Sequence, residues 1–310
     1  MKKGLTISVI FKAMSANYGE SIGNISELKK IVSSNETFTY ISRQALRYEL
    51  YRCMKENFGM DSELPEPLDQ SQKVAQFSSE SNAVKYVEAD LFGYMKTEKS
   101  KGSVVRPAVV RISPAISLEP YKGDVEFGTN KNFADRLKKD PDPFQFEHHL
   151  SLYSYTITID LNRVGIDEND GKNVPNEEKI RRVNMFLDAV QILNRDIKGR
   201  TENLNPLFAI GGVYPVKNPF FLGRIQTDYD KNINAHVIKT GTISSTLEMS
   251  YNINNENINV KKDSRIGFID NFWANENDLK NLIEQQNYTI ARFFDELKFK
   301  VRDYYETSQN

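Results

Sequence analysis

The sequence predicts an α+β protein with a split βαβ, ferredoxin-like core and large insertions. Three observations lead to this fold class: a nearly uncharged β-branched strand at residues 4–14, a long alternating strand at 149–161, and an amphipathic helix after each of them. A β-branched strand without charges needs burial. The order strand, helix, β pieces, strand, helix, strand therefore matches a split βαβ plan.

The first helix is predicted to begin at Ser42, a good N-cap residue, and to end near Gly59, which suits a C-cap. Leu46 and Leu50 recur at helical spacing on its apolar face. Residues 15–40, before this helix, are predicted to form an ordered loop with a short amphipathic turn at 25–31.

The rest of the chain is predicted as a series of insertions and core elements. The predicted segments are an acidic surface excursion at 60–84, β pieces at 84–95 and 103–118, a charged connector at 120–147, a helix at 176–198, a buried strand at 207–213, a β region at 236–253 and a terminal helix at 277–305. Pro107 and Pro114 favour an edge or irregular strand for 103–118.

Composition bounds the partners and the compartment. The chain has 41 Lys and Arg against 42 Asp and Glu, so a polyanion site must be local. Residues 1–55 carry nine basic and four acidic residues, whereas 56–91 carry two and eight. The single cysteine, Cys53, fits a reducing compartment. The apolar run after Met1 is broken by Ser8 and Lys12, so we expect a cytoplasmic protein without a membrane partner.

Common catalytic and cofactor motifs are absent from the sequence. No Walker lysine, GxSxG, GxGxxG, HExxH or CxxC pattern occurs, and we expect neither a cofactor nor a metal. His148 and His149 are neighbours on a predicted strand and point to opposite faces, so packing or hydrogen bonding at the sheet edge is the favoured role for both.

Two basic segments are candidates for contact with a phosphate backbone. Arg43 and Arg47 lie on one face of the first helix, although such charges are usually solvated. Residues 96–111 carry five basic side chains and one acid, and Pro107 and Pro114 lie in and just after this segment. The RNP1 pattern of base-stacking aromatics is missing, since residues 265–269 approximate it poorly.

Five short segments together resemble the DevR-type backbone subunit of type I-B CRISPR effector complexes, a Cas7-like, guide-RNA-binding family. They are GLTISVIFKA at 4–13, YG at 18–19, YISRQALR at 40–47, DLFGYM at 90–95 and RPAVVRISP at 106–114. Each is short, but their order and intervals, with the later strand and helix, make the resemblance specific across most of the chain.

The resemblance implies a modified RNA-recognition fold over residues 1–310, likened to a hand. It implies a palm core at 1–56, 148–215 and 236–310, and a finger insertion at 57–147. The thumb is expected within 211–235, either in the Gly/Pro-rich segment 211–221 or at 225–235. Several copies would polymerise along one CRISPR guide RNA, beside other Cascade subunits, and the guide would pair with target DNA.

By the same resemblance, a set of palm and finger residues would contact the guide backbone. The resemblance indicates Lys12, Asn17, Ser42, Arg43, Gln44, Arg47, Arg106 and Arg111, and the basic charge of the segment 96–111 adds Lys96 and Lys101 to the expected RNA-binding residues. Contacts to phosphates would leave the base edges free to pair, as sequence-independent guide recognition requires.

Two alternatives to a non-catalytic guide-binding subunit stay open. Some type III relatives cut RNA with an aspartate in the loop after the first strand, but residues 14–19 contain none. An acid at another position, Glu20 or Asp90, leaves open the alternative that the protein is a metal-dependent ribonuclease. The nearly neutral net charge leaves open the alternative that it is a structural adaptor without nucleic acid.

Overall fold

The computed structural model describes residues 3–69, 75–98, 102–253 and 256–307. Its helices are α1 Arg43–Phe58, α2 Val87–Phe92, α3 Lys131–Leu137, α4 Asn176–Gln191, α5 Thr240–Leu247, α6 Val260–Asp263, α7 Glu276–Leu282 and α8 Ile290–Thr307. Its strands are β1 Gly4–Met14, β2 Tyr18–Ile22, β3 Ile25–Leu28, β4 Lys30–Ser33, β5 Glu36–Ile41, β6 Leu68–Asp69, β7 Gln76–Phe77, β8 Tyr94–Glu98, β9 Gly102–Arg106, β10 Val110–Ile112, β11 Ala115–Ser117, β12 Asp124–Thr129, β13 Pro143–His148, β14 Leu150–Asp160, β15 Ile166–Asp167, β16 Lys172–Asn173, β17 Asn194–Ile197, β18 Arg200–Asn203, β19 Phe208–Tyr214, β20 Thr227–Asp230, β21 Ala235–Ile238, β22 Ser250–Ile253, β23 Glu256–Asn259 and β24 Ser264–Phe268.

The central sheet has the strand order β24-β19-β1-β14-β11-β5-β4, and β10 also pairs with β14. β1 is antiparallel to β14 and to β19, and β14 is antiparallel to β10 and β11. β1 and β11 are therefore parallel with β14 between them, and α1 lies within the long connection from β1 to β11. β14 and β19 are likewise parallel around β1, joined through α4. This is the split βαβ arrangement that the sequence predicts.

β1 is buried on both faces, which explains its lack of charges before Lys12. Leu5 and Val9 pack in a cluster with residues of α1, α4 and α8. Ile10 faces the other way, in a second cluster with residues of α5 and α7. Burial of both faces favours a nearly continuous apolar strand.

The insertion after α1 has a small core of its own. Phe77, Tyr86, Ala89, Tyr94 and Val104 form this third buried cluster. β8 and β9 form a hairpin in which Tyr94 lies opposite Arg106. Gly93 has φ +76°, and a Cβ there would lie 2.5 Å from the Arg106 carbonyl oxygen, so only glycine fits this approach.

Several predicted elements are wrong, and each error has a local cause. Residues 15–40 form β2 to β5 instead of a loop, and 84–95 contains α2 before β8. The connector at 120–147 folds as β12, α3 and β13, in a second sheet ordered β12-β13-β3-β2. These strands have four to six residues each, which is too short for their alternation of apolar and polar residues to be a strong signal.

The two long predicted helices are shorter in the structure. α4 ends at Gln191, and the residues after it form the β17–β18 hairpin. The predicted terminal helix is divided into α7 and α8. A helix, α5, lies inside the predicted β region at 236–253.

The two candidate thumb segments occupy different places. Gly211 and Tyr214 belong to β19, beside β1 in the central sheet. β20 and β21 form an antiparallel hairpin, in which Thr227 lies opposite Ile238. Of the two candidates, only 225–235 contributes to a hairpin among the described residues.

Within the residues that the structure describes, no helix has the length and hydropathy needed to cross a bilayer.

Candidate nucleic-acid interface

The start of α1 is fixed by two polar side chains. Ser42 is the N-cap, and its Oγ accepts a hydrogen bond from the Ala45 N–H at 3.2 Å. Asn17 Oδ1 accepts a hydrogen bond from the Ser42 N–H at 2.9 Å, and the Asn17 carbonyl oxygen accepts one from the Lys29 N–H. Asn17 is buried and holds the loop after β1 against the helix. This corrects its predicted RNA contact, because its side chain is engaged within the protein.

The first turn of α1 presents free polar side chains. Arg43 and Gln44 are exposed and have no side-chain partner among the described residues. The first turn contains no acidic residue, so the positive end of the helix dipole is not compensated there. These features favour an anion beside Arg43.

Arg47, one turn further along, is held by the insertion. Its Nη2 lies 3.2 Å from Glu88 Oε1, and its guanidinium lies 4.9 Å from the Phe92 ring centroid. Burial raises the pKa of the Glu88 carboxyl, and the charge of Arg47 opposes that rise. Arg47 keeps about a third of its side chain exposed, and the Glu88 carboxylate beside it competes with any other anion for its charge.

Lys12 and Arg111 are exposed on the same face of the central sheet. Lys12 lies opposite Leu152, and Arg111 lies opposite Thr158, which in turn lies opposite Thr6. Directly opposite residues share a face, and the six-residue separation along β1 corresponds to roughly 20 Å. Both side chains are exposed and lack a hydrogen bond or ion pair among the described residues.

Lys96 is a buried structural residue, which corrects its predicted RNA contact. Its side chain is 2% exposed, and Nζ donates to the carbonyl oxygens of Ser79 at 3.0 Å and Ser81 at 2.9 Å. The ammonium group also lies 5.3 Å from the Tyr94 ring centroid. Lys101, predicted beside it, lies outside the described residues.

Arg106 is also buried, so its predicted RNA contact is wrong in this structure. Its Nη2 lies 2.8 Å from Asp90 Oδ1, and Nη1 donates to the Asp90 carbonyl oxygen. It also donates to the Ile166 carbonyl oxygen at 3.0 Å and to that of Arg163 at 3.0 Å. The segments 90–95 and 106–114 therefore meet inside the protein, and we call this Asp90–Arg106 contact the internal joint.

Arg182 of α4 completes this joint. Its Nη1 lies 2.8 Å from Asp90 Oδ2 and donates to the Ala83 carbonyl oxygen. Burial raises the pKa of the Asp90 carboxyl, while the guanidinium groups of Arg182 and Arg106 oppose the rise. No local pattern in α4 distinguishes Arg182 from its exposed neighbour Arg181.

The histidines make structural contacts, as predicted for His148 and His149. His148 Nδ1 lies 3.1 Å from Ser15 Oγ, and its Nε2 lies 2.6 Å from Glu126. Ser15 is fully buried, so this arrangement cannot present a nucleophile to a substrate. His149 Nδ1 lies 2.7 Å from Thr39 Oγ1. Burial lowers the pKa of His149.

The carboxylates do not assemble a metal site in the described part of the chain. No group of three or more His, Cys, Asp or Glu side chains is placed to hold a metal there. Asp90, one of the two acids considered for a ribonuclease, has both oxygens engaged by arginines. The side chain of Glu20, the other acid, lies outside the described residues.

Most of the chain matches one known protein family. Residues 5–233 match the family model described as "CRISPR-associated negative auto-regulator DevR/Csa2". The chain belongs to the DevR/Csa2 family of CRISPR-associated proteins. This membership confirms the resemblance seen in the sequence, while the type I-B subtype stays a prediction.

A relative and two solved structures extend the comparison. The "CRISPR-associated protein Cas7/Cst2/DevR" of Myxococcus xanthus (strain DK1622) is 31% identical over 157 residues, which cover 46% of this chain and 52% of that protein. The match thus spans about half of the relative. A chain of a "CRISPR RNA-guided surveillance complex, pre-nicking" has TM-score 0.61, 12% identity and coverage of 96% and 100%. A chain of a "CRISPR RNA-guided surveillance complex" has TM-score 0.57, 15% identity and coverage of 96% and 99%.

These two structural likenesses concern the fold. They agree with the mixed α+β architecture and with an RNA-recognition-like palm for this DevR/Csa2 family member. The predicted fold class is confirmed.

Proposed function

We propose that the chain is a backbone subunit of a CRISPR surveillance complex that binds guide RNA through its phosphates. The observation that carries the proposal is the pair of exposed, unneutralised arginines, Arg43 at the start of α1 and Arg111 on β10. Lys12 adds a third exposed cation on the sheet face. Free cations of this kind attract a polyanion without reading its sequence.

The proposed RNA-binding set is smaller than the predicted one. Lys12, Arg43, Gln44 and Arg111 are its members, and Ser42 contributes by capping the helix that presents Arg43. Arg47 is placed at the margin of the set, because RNA must compete with Glu88 for it. Lys96 and Arg106 leave the set because their charges are used inside the insertion.

The remaining parts of the proposal concern assembly. Copies of the chain polymerise along one guide, which pairs with target DNA, beside other subunits of a type I-B complex in the cytoplasm. The insertion 57–147 serves as the fingers, and the β20–β21 hairpin is the proposed thumb. The exposed tip residue Ile233 and the hairpin geometry support that last assignment.

The proposed role is binding without cleavage. The engagement of Asp90 by two arginines supports it, because a metal-dependent ribonuclease needs free carboxylates. Purified protein with Mg²⁺ and end-labelled RNA is expected to leave the RNA intact. Cleavage that is abolished by Glu20→Gln, or by Asp90→Asn in protein that stays folded, would favour the ribonuclease instead.

RNA binding itself is tested with two unrelated guide-length RNAs. Sequence-independent phosphate recognition predicts equal dissociation constants for the two RNAs within about threefold, or less than about 1 kcal/mol. The protein purified from cells is also expected to carry RNA, seen as a high absorbance ratio at 260 over 280 nm. Protein that purifies without RNA and binds neither RNA would support the adaptor alternative.

A further inference from the structure

β12 is an edge strand with exposed apolar side chains. Among the described strands it pairs with β13 alone, and its other side has no neighbour. Val125 is 53% exposed and Phe127 is 64% exposed. Natural sheets usually protect such an edge with charges, proline, a bulge or a covering segment.

The backbone of β12 offers hydrogen bonds on this free side. The Asn130 N–H donates to the Asp142 carbonyl oxygen at 3.3 Å, at the end of the β12–β13 ladder. Bonded and non-bonded pairs alternate in an antiparallel ladder. The N–H and C=O groups of Val125, Phe127 and Thr129 therefore point away from β13. Pro143, opposite Thr129, fits this pattern because it has no N–H to donate.

β4 is a second free apolar edge, at the end of the central sheet. Among the described strands it pairs with β5 alone, and Val32 is 71% exposed. Ser34 and Asn35 form the two-residue turn to β5, with φ of 51° and 65°. The Tyr40 N–H donates to the Lys29 carbonyl oxygen at 2.9 Å, so the same alternation turns the backbone groups of Val32 outward.

The two edges carry opposite flanking charges. β12 has Asp124 and Glu126, and the Glu126 side chain stays 60% exposed although it contacts His148. β4 follows Lys29, which has no ion pair among the described residues, and begins with Lys30, whose Nζ lies 2.6 Å from Glu147 Oε1 of the same chain. Opposite charges facing each other across two strands stabilise their pairing, whereas like charges weaken it. This complementarity favours β4 as the partner of β12 over a second β12.

We propose that β4 of one copy pairs with β12 of the next copy along the guide. The contact joins two different surfaces of the same chain, so every copy added leaves one free β4 and one free β12. Such a head-to-tail contact builds an open filament when its rotation does not close into a ring, and Lys12, Arg43 and Arg111 lie on neither of the two strands. The inference rests on the proposed function, in which copies assemble on one RNA.

The test uses a proline on each edge. Val125→Pro and Val32→Pro each remove an outward N–H while leaving the ladder within the chain intact. Val125→Thr and Val32→Thr are the matched controls, because threonine keeps the N–H and the β-branched shape. Sedimentation on guide-length RNA should show several copies for the unsubstituted protein and both threonine variants. Each proline variant should lose cooperative loading at least tenfold.

A mixture of the two proline variants identifies the partner. Val125→Pro keeps a competent β4 and Val32→Pro a competent β12, so an equimolar mixture should form pairs that stop at two copies. Such pairs also show that both variants are folded. Proline variants that assemble like the unsubstituted protein, or a mixture without pairs, would overturn the proposal. Normal self-assembly with loss of a co-purifying protein would overturn it too, in favour of another subunit at this edge.

A short RNA that holds a single copy separates this inference from RNA binding. Both proline variants should bind it as tightly as the unsubstituted protein. If the unsubstituted protein does not bind it, the proposed function fails. Edge pairing is then judged from the same mixture at high protein concentration without RNA, where pairs support it and their absence overturns it.

Discussion

Arg182 Nη1 and Asp90 Oδ2 lie 2.8 Å apart, and both side chains are almost fully buried. This ion pair joins α4 of the core to α2 of the insertion. Arg106 occupies the other carboxylate oxygen, and the Gly165 N–H donates to Oδ2 at 2.8 Å. One carboxylate between two guanidinium groups therefore helps to fix the insertion against the core.

Arg182→Met is expected to destabilise the protein by about 3–5 kcal/mol, because it leaves a buried carboxylate with one of its two cationic partners. Urea unfolding followed by circular dichroism measures the loss. Arg181→Met is the matched control on the neighbouring residue. Arg181 is exposed and pairs with Glu178 at 2.6 Å, so its loss should cost less than about 1 kcal/mol. Equal effects of the two substitutions would refute the role of Arg182.

Substitutions of Ser42 separate its capping role from the charge around it. Ser42→Ala should cost about 1 kcal/mol of stability through loss of the N-cap, while Ser42→Asn and Ser42→Asp should retain most of it. Ser42→Asp also adds a negative charge beside Arg43, so it should weaken RNA binding roughly fivefold at low salt. Urea midpoints and RNA titrations measure the two effects. Identical RNA affinity in the Asn and Asp variants would place the RNA away from this helix start.

Lys96→Met is expected to loosen the insertion without changing the salt dependence of RNA binding. The substitution leaves the Ser79 and Ser81 carbonyl oxygens without their donor, at about 1–3 kcal/mol. Hydrogen exchange in residues 75–98 should become faster. Lys85→Met removes an exposed lysine from the same insertion and serves as the control. A lower salt slope in folded Lys96→Met protein would contradict the structural role.

Stability should fall as the pH is lowered below about 6.5, the ordinary pKa of histidine. Burial lowers the pKa of His149, so the folded state binds protons less readily than the unfolded chain. The stabilisation is complete above the unfolded pKa and is lost as the pH falls through the folded pKa. His149→Gln should flatten this dependence in urea unfolding between pH 8 and pH 5. His236, whose pKa burial also lowers, accounts for part of the remainder.

The core of the fold could be predicted from the sequence, because the patterns that indicate its strands and helices are local. β1 and β14 are long and apolar or alternating, and α1 begins at an N-cap and ends at Gly59 with φ 63°. These are short-range preferences of the chain. The small sheet around β12 and β13 could not be predicted, because its strands are short and partly exposed and because β13 pairs with β3 from a distant part of the chain.

The candidate site could be predicted only in part from the sequence. Charge density along residues 96–111 does not reveal that Lys96 and Arg106 are surrounded by carbonyl oxygens and by Asp90. Those partners lie 15 to 60 residues away and meet only when the insertion folds. Arg43, by contrast, is exposed because it follows an N-cap on the outer face of a helix, which its position in the sequence indicates.

The salt dependence of RNA affinity shows whether the chain binds guide RNA through its phosphates. Lys12→Gln, Arg43→Gln and Arg111→Gln are combined in one variant, and Arg302→Gln on α8 is the control for loss of an exposed charge. Each phosphate contact contributes about 0.7 to the slope of log affinity against log salt for a single strand, so the triple variant should lose about 2 from that slope. The control should retain the full slope. An unchanged slope in the folded triple variant would contradict phosphate binding by these three side chains.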